Sequence, residues 1–169
     1  MVAFDELYQE IILDHYRAPR NKCRGDETGK ICVKHENPLC GDELSLSVKL
    51  DGEEKISRIC FSGQGCAISQ ASASMMTEAV KGLTASQANE LIETVRLMMH
   101  NEAPAEEQGD IEALKGVNKF PVRVKCALLA WTALKDAINS AESSPEVKLG
   151  IRLITAESPS SSNRSDTRR

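Results

Sequence analysis

The sequence predicts an α+β domain, in which an N-terminal helix precedes a small antiparallel β-sheet and further helices pack on one face of that sheet. Apolar and polar residues alternate in the strands of the front half, whereas apolar residues recur every three or four positions in the back half. Strands therefore come first and helices follow without alternating with them. This order favours the α+β class over a parallel α/β fold.

The front half contains a helix, an edge strand, a half-buried strand, a hairpin turn and a second strand. Their predicted positions are, in that order, 4–19, 31–35, 44–50, 51–52 and 56–61. Helical spacing of apolar residues ends near Pro19. Leu44, Leu46 and Val48 alternate with polar residues, which predicts a strand with one buried face. Asp51 and Gly52 then form a turn signal.

The back half is predicted to be helical. Two helices are separated around Gly82, and Pro121 suits the first turn of a last helix. Between them lies an acidic connector at 101–116, which we expect to be exposed and to contain one short helical turn at 111–114. The helical pattern fades beyond Ser140. We therefore expect a single domain at 1–140 and a flexible C-terminal tail at 141–169.

Composition narrows the function. The chain has 169 residues, 41% of them hydrophobic and 27% charged, which is ordinary for a folded domain. Its net charge of -4 and its 4% aromatic content argue against a nucleic-acid partner. No apolar run is long enough for a membrane span, and the N-terminus lacks the pattern of a signal peptide. We therefore expect a cytoplasmic protein that has no nucleic-acid or membrane partner.

Six cysteines are the first indication of chemistry. In the cytoplasm they favour thiolate chemistry or metal binding over disulfides. We expect Cys23, Cys32 and Cys60 to lie outside the site as small buried residues, Cys60 inside a strand, and as extra thiols they are open to oxidation or adventitious metal binding. Met75, Met76, Met98 and Met99 lie on apolar helix faces and are predicted to belong to the core.

The other three cysteines share a setting that suits a metal. Cys40 lies in a Pro- and Gly-containing loop two residues before Asp42, and Cys66 lies where a Gly-rich segment enters a helix. Cys126 lies in the first turns of the last helix, and thiolates are favoured near helix N-termini. Three thiolates and one carboxylate would make a tetrahedral zinc site. The alternative from spacing alone is that each cysteine is a small buried hydrophobe.

Four motifs together resemble the NifU/IscU-like superfamily of iron-sulfur cluster assembly over residues 4–140. The motifs are Asp14-His15-Tyr16 with Pro19-Arg20-Asn21, Asn37-Pro38-Leu39-Cys40-Gly41-Asp42, Gly63-Gln64-Gly65-Cys66-Ala67-Ile68-Ser69, and Lys125-Cys126. Within the superfamily three features resemble the SufU branch. Lys125 replaces the His that usually precedes the third cysteine, Leu129-Ala130-Trp131 follows it, and a longer insert separates Cys66 from Cys126.

The resemblance implies a SufE/NifU-like fold and a zinc-dependent sulfurtransferase. By this likeness Cys40, Asp42, Cys66 and Cys126 would bind zinc, and Cys40 would accept persulfide sulfur from a SufS-type cysteine desulfurase. A SufB-containing scaffold would receive the sulfur. Arg123 matches a basic position of the branch and would assist catalysis, unless it is only a solvated arginine at a helix start.

Two other functions stay open from the sequence. The same cysteines would suit a scaffold that holds a [2Fe-2S] cluster, although Lys125 removes a familiar His ligand. Alternatively, the zinc would be purely structural and the chain an interaction module. Of the histidines, His15 is predicted to be packed and hydrogen-bonded, His35 is a spare ligand candidate, and His100 ends a helix.

Overall fold

The computed structural model describes residues 2–24, 31–102 and 107–143, and it has the predicted α+β architecture. Four α-helices, three strands and one 3-10 helix make up the described part of the chain. Their order is α1 (Val2–Arg17), β1 (Ile31–Asn37), β2 (Asp42–Leu50), β3 (Ile56–Gln64), α2 (Ala67–Val80), α3 (Ala85–Met99), the 3-10 helix (Gly109–Lys119) and α4 (Pro121–Ser143).

The sheet is an antiparallel meander in the order β1-β2-β3. Leu44, Leu46 and Val48 of β2 are almost fully buried while the intervening residues are more exposed, as the alternation predicts. The β2–β3 turn is held by Asp51, whose Oδ1 accepts hydrogen bonds from the backbone N–H groups of Glu53 at 2.9 Å and Lys55 at 3.0 Å. These two bonds keep the pKa of the Asp51 carboxyl below its ordinary value, because they stabilise its charged form.

Helix α2 lies at the centre of the helical layer. Its small residues let neighbouring helices approach closely, and Ala71, Ala73 and Ser72 are fully buried. The Ser72 hydroxyl donates to the Ala127 carbonyl at 2.6 Å and accepts from Trp131 Nε1 at 3.0 Å, so it joins α2 to α4. The four methionines predicted to belong to the core are each at most 2% exposed.

The prediction of an exposed connector is wrong for its second part. The 3-10 helix is longer than the single predicted turn, and Ile111, Ala113 and Leu114 are buried in the core. An apolar residue at every third position suits a 3-10 helix, which has three residues per turn. The acidic composition hid this short apolar face.

The preference for thiols over disulfides is wrong for Cys23 and Cys60, because the two form a disulfide, and Cys32 is exposed rather than buried. The segment after α1 runs beside β3, where Cys23 N–H donates to the Phe61 carbonyl at 2.8 Å and Phe61 N–H donates to the Asn21 carbonyl at 3.0 Å. This short parallel pairing brings Cys23 next to Cys60. Neither the amino-acid composition nor the expected cytoplasmic location predicts that these two segments pair.

At the C-terminal end, α4 continues to Ser143, three residues beyond the predicted end of the domain. The rest of the expected flexible tail, 144–169, lies outside the described residues. Among the described helices, none combines the length and the apolar character that crossing a membrane requires.

Candidate metal centre

Three separate parts of the fold bring the predicted site residues together at one end of the sheet. Cys40 lies in the tight turn between β1 and β2, and Asp42 is the first residue of β2. The register pairs Glu43 of β2 with Gln64 of β3, so the exit of β3 toward Cys66 lies beside the same turn. Helix α4 packs against β1 and β2 and contributes Cys126.

The distances show a compact cluster. Cys40 Sγ and Cys126 Sγ are 2.9 Å apart, and one atom each of Cys40, Asp42 and Cys126 lie within 4.8 Å of one another. Cys66 lies next to this group, with its Sγ 3.7 Å from Asp42 Oδ2 and its backbone N–H donating to Asp42 Oδ1 at 2.8 Å. The four predicted metal ligands are therefore neighbours, with Asp42 between Cys66 and the other two cysteines.

Cys66 is the N-cap of α2. Its Sγ accepts a hydrogen bond from Ser69 N–H at 3.4 Å, in the way that oxygen side chains usually cap helices. A thiolate is favoured in this position, because the N–H groups and dipole of the helix stabilise negative charge. The helix start thus provides both the place and the electrostatic environment for one sulfur ligand.

The glycines around Cys66 are required by the close approach of β2. A Cβ on Gly63 would lie 2.1 Å from the Glu43 carbonyl oxygen, and Gly63 has a φ of +122°. A Cβ on Gly65 would lie 2.6 Å from both Asp42 Oδ1 and Ser69 Oγ. Side chains at these positions would displace the strand or the carboxylate that faces Cys66.

Buried acidic groups give the cluster its electrostatic character. Asp42 is 1% exposed, and none of the ion pairs found within the described ranges involves it. Burial, followed by the hydrogen bonds with Cys40 and Asp42, raises the pKa of the fully buried Cys126 thiol above its ordinary value. Further negative charge is unfavourable here unless a cation compensates for it.

The donor set fits zinc. Thiolate sulfur and carboxylate oxygen are ligands that zinc accepts in fourfold coordination, and a divalent cation would compensate for the charge of Asp42 and the cysteines. The same sulfur atoms are also the usual ligands of iron-sulfur clusters. Residue types and burial therefore support a metal centre without distinguishing these two groups.

Asn37 is a site residue that the sequence analysis did not single out. It is 7% exposed, and its Nδ2 lies 3.8 Å from Cys126 Sγ. Its backbone carbonyl accepts from Cys40 N–H at 3.2 Å and Gly41 N–H at 2.9 Å, so Asn37 also shapes the turn that carries Cys40. Its place in the Cys40 motif was the available signal, because asparagine frequently stabilises tight turns.

Arg123 lies in the first turn of α4, three residues before Cys126, and is exposed. No hydrogen bond joins its side chain to the cysteine cluster in the part of the chain that the structure describes. Large apolar side chains are exposed nearby: Leu39 is 67%, Phe120 59% and Val122 55% exposed. The rim of the cluster on the Cys40 turn and the α4 start is therefore apolar and accessible.

The histidines lie outside the cluster. His15 is buried and its ring nitrogens contact Ser74 Oγ at 2.8 Å and Asp110 Oδ2 at 3.0 Å, which confirms the packed, hydrogen-bonded histidine predicted from the sequence. His35 contacts Asp136 on α4 at 2.9 Å rather than the cysteines, so it is not a spare ligand in this arrangement. His100 is the C-cap of α3.

The chain is similar to known proteins over most of its length. The family model described as the NifU-like N terminal domain matches residues 7–146. A protein of Bacillus subtilis (strain 168) named zinc-dependent sulfurtransferase SufU is 45% identical over 140 residues, which cover 82% of this chain and 93% of that protein. A protein of Streptococcus pyogenes serotype M1 named iron-sulfur cluster assembly scaffold protein IscU is 46% identical over 136 residues, 79% of this chain and 84% of that protein.

Solved structures agree with these sequence matches. The crystal structure of FiSufU from Fervidobacterium islandicum AW-1, described as a candidate iron-sulfur cluster assembly scaffold protein for the SUF system, matches with a TM-score of 0.68 and 35% identity. The match covers 76% of this chain and 94% of that one. The N-terminal part of a NifU-like protein from Brucella abortus shares the fold, with a TM-score of 0.71 at 23% identity, over 83% of this chain and 99% of that one. The chain belongs to the NifU-like N-terminal domain family.

Proposed function

We propose that this protein acts in iron-sulfur cluster assembly as a zinc-dependent sulfurtransferase. It accepts persulfide sulfur from a SufS-type cysteine desulfurase and passes the sulfur to a SufB-containing scaffold. The SufU name of the Bacillus subtilis relative supports this function. The cysteine cluster is the observation that carries the proposal.

Cys40 is the residue best placed to receive sulfur. It is half-buried on a turn, whereas Cys126 is fully buried and Cys66 is fixed as the cap of α2. Leu39 beside it is exposed, so a partner can reach this turn by packing on the apolar rim. Cys66 is half-buried as well, so it is its place as the helix cap, together with the burial of Cys126, that leaves Cys40 on its turn as the acceptor.

The transfer conserves electrons. Cys40 Sγ, as a thiolate, attacks the terminal sulfur of the donor's persulfide, so that a new S–S bond forms at Cys40. The S–S bond of the donor breaks, and the donor cysteine leaves as a thiolate that takes up the proton of the transferred sulfur or of the solvent. The exposed Arg123, one helical turn before Cys126, assists by attracting the anionic sulfur groups at this rim.

Cys40, Asp42, Cys66 and Cys126 are the residues that would hold zinc. When bound, zinc keeps the cysteine sulfurs deprotonated and restrains their reactivity until the partner arrives. Asn37 supports this set through its contact with Cys126 and through the two backbone bonds that fix the Cys40 turn. We also propose that this protein and its desulfurase partner are both located in the cytoplasm.

A sulfur-loading assay tests the role of Cys40. The purified protein is incubated with a SufS-type desulfurase and cysteine, and the sulfur added to each cysteine peptide is measured by mass spectrometry. We expect sulfur on Cys40 and loss of both loading and desulfurase stimulation in Cys40→Ala. Cys32→Ala is the matched control, because Cys32 is an exposed cysteine on β1, outside both the cluster and the disulfide. Full stimulation by Cys40→Ala would contradict the proposal.

A cluster scaffold is the second candidate function, because the IscU-named relative is as similar as the SufU-named one. It predicts a [2Fe-2S] cluster on the same cysteines. Anaerobic purification followed by zinc, iron and acid-labile sulfide analysis distinguishes the two. About one zinc per chain without iron supports the sulfurtransferase, whereas iron with matching sulfide supports the scaffold.

A further inference from the structure

A cationic cavity lies away from the cysteine cluster, between the end of α1, β3 and the end of α2. Its volume is about 810 Å³. Four basic residues line it, and no Asp or Glu is found among its described lining residues. The basic residues are Lys22, Arg24, Arg58 and Lys81. In a chain whose net charge is -4, this local excess of positive charge is a distinct feature.

The charge of the cavity is only partly compensated by its surroundings. Lys22 Nζ donates to the neutral amide oxygen of Gln70 at 3.4 Å. Lys81 contacts Asn21 and lies 3.8 Å from the Glu78 carboxylate, which is the one ion pair found for the four bases among residues 2–24, 31–102 and 107–143. A cavity with one sign of charge concentrates ions of the opposite sign and accelerates their encounters. Its chemistry therefore selects small anions.

The Cys23–Cys60 disulfide forms part of the wall of the same cavity. Cys60 is 5% exposed, whereas Cys23 is half-buried. Both cysteines line the cavity and Cys23 is the more exposed of the two, so Cys23 is the better candidate for attack by a nucleophile that enters the cavity. A reducible bond and an anion-selective environment occur in one place.

We propose that this cavity is a binding site for anionic low-molecular-weight thiols, which it presents to Cys23 Sγ for thiol–disulfide exchange. The bound thiolate attacks Cys23 Sγ, a mixed disulfide forms, and Cys60 leaves as a thiolate. A second thiolate attacks the sulfur of the first and releases Cys23 and the oxidised small-molecule disulfide. The protein gains two electrons and the two protons that the small thiols lost, so the step needs no other reductant.

The surrounding structure lets the bond open without loss of the fold. The backbone hydrogen bonds that join Cys23 and Asn21 to Phe61 do not depend on the disulfide. Asn21 Nδ2 also donates to Thr77 Oγ1 on α2 at 3.1 Å. The segment therefore stays on β3 when the two sulfurs separate, and the site keeps its basic residues.

Exchange rates with thiols of different charge test the proposal. The full chain, loaded with zinc, is treated with glutathione (net-negative), 2-mercaptoethanol (neutral) or cysteamine (positive), and reduction of Cys23–Cys60 is followed by alkylation and peptide mass spectrometry. Each rate in Arg24→Gln/Arg58→Gln is divided by the wild-type rate, which cancels the intrinsic reactivity of the thiol. Lys135→Gln on α4 is the control, because Lys135 is an exposed cation outside the cavity lining.

The attacking thiolates carry net charges of about -2 for glutathione, -1 for 2-mercaptoethanol and 0 for cysteamine. Since one unit charge at roughly 6 Å in water changes the local concentration of a singly charged ion about threefold, we expect the double variant to lose about tenfold in rate for each negative charge of the thiolate. The loss should therefore be largest with glutathione, intermediate with 2-mercaptoethanol and absent with cysteamine. Salt at about 1 M should remove the difference, because the screening length falls to about 3 Å. Equal ratios for the three thiols, an equal effect of Lys135→Gln, or no disulfide in the oxidised protein would overturn the proposal.

Discussion

Replacing Gly65 by alanine is the most direct test of the geometry around Asp42. The new Cβ would lie 2.6 Å from Asp42 Oδ1 and from Ser69 Oγ, whereas real Cβ atoms essentially never approach closer than 3.0 Å. Both oxygens must therefore move by at least 0.4 Å, the difference between these two distances. Asp42 is 1% exposed and has little room, so the move weakens its 2.8 Å bond from Cys66 N–H.

The size of the effect follows from that bond. A hydrogen bond to a charged group contributes about 1.5–3 kcal/mol. If Asp42 must stay in place to bind the metal, its displacement should weaken zinc binding by about 10- to 100-fold. Extra volume in a packed site costs about 1–3 kcal/mol of the free energy of unfolding, so the metal-free protein should be destabilised as well.

Competition with a fluorescent chelator measures zinc affinity, and urea titration of the metal-free protein measures stability. Gly52→Ala is the control, because a Cβ there meets nothing within 4 Å. The double variant Gly65→Ala/Ser69→Ala removes one of the two clashes, so it should recover part of the stability but not the zinc affinity. Wild-type zinc affinity in Gly65→Ala would refute the reasoning that Asp42 is a positioned ligand.

Three further predictions concern stability. Ser72→Ala should lower the free energy of unfolding by about 2–4 kcal/mol in urea titrations, because it removes two hydrogen bonds and leaves the buried Trp131 N–H without its partner; a loss below about 0.5 kcal/mol would contradict this. Asp51→Asn should be less stable than wild type at neutral pH. Since the folded-state pKa of Asp51 is lowered, its contribution is present above the unfolded value and is lost as pH falls through the folded value, so the two proteins should converge in acid. Chelating zinc should lower Tm by about 10 °C, because zinc at about a thousand times its Kd contributes roughly 4 kcal/mol; an unchanged Tm after verified removal would place the metal outside the folded core.

The sequence predicted the elements whose pattern is long and regular. The alternation at Leu44–Leu46–Val48 and the helical spacing after Cys66 are direct consequences of burial on one face, and the structure confirms both. The 3-10 helix was missed because its apolar face consists of few residues within an acidic segment. Short elements of this kind depend on the core that they cover, and that core is not visible in local sequence.

The sequence predicted which residues form the candidate site, but not every contact among them. The motifs around Cys40 and Cys66 identified residues that the structure brings together with Asp42 and Cys126. The contact between Asn37 and Cys126 joins positions 89 residues apart, and no local pattern encodes it. The Cys23–Cys60 bond was missed for the same reason, because it depends on an isolated parallel bridge between Lys22 and Phe61 of β3.

The disulfide also has a consequence for the unfolded chain. It closes a loop of 37 residues, and in the chain-entropy model such a closure removes about 13 cal/mol/K from the unfolded ensemble, or about 3.8 kcal/mol at 25 °C. Opening the bond would therefore raise the ratio of unfolded to folded molecules by roughly 600-fold without changing any contact of the cysteine cluster. The lifetime of this protein in a cell would then follow the thiol redox state of its surroundings, because proteases act on the unfolded population.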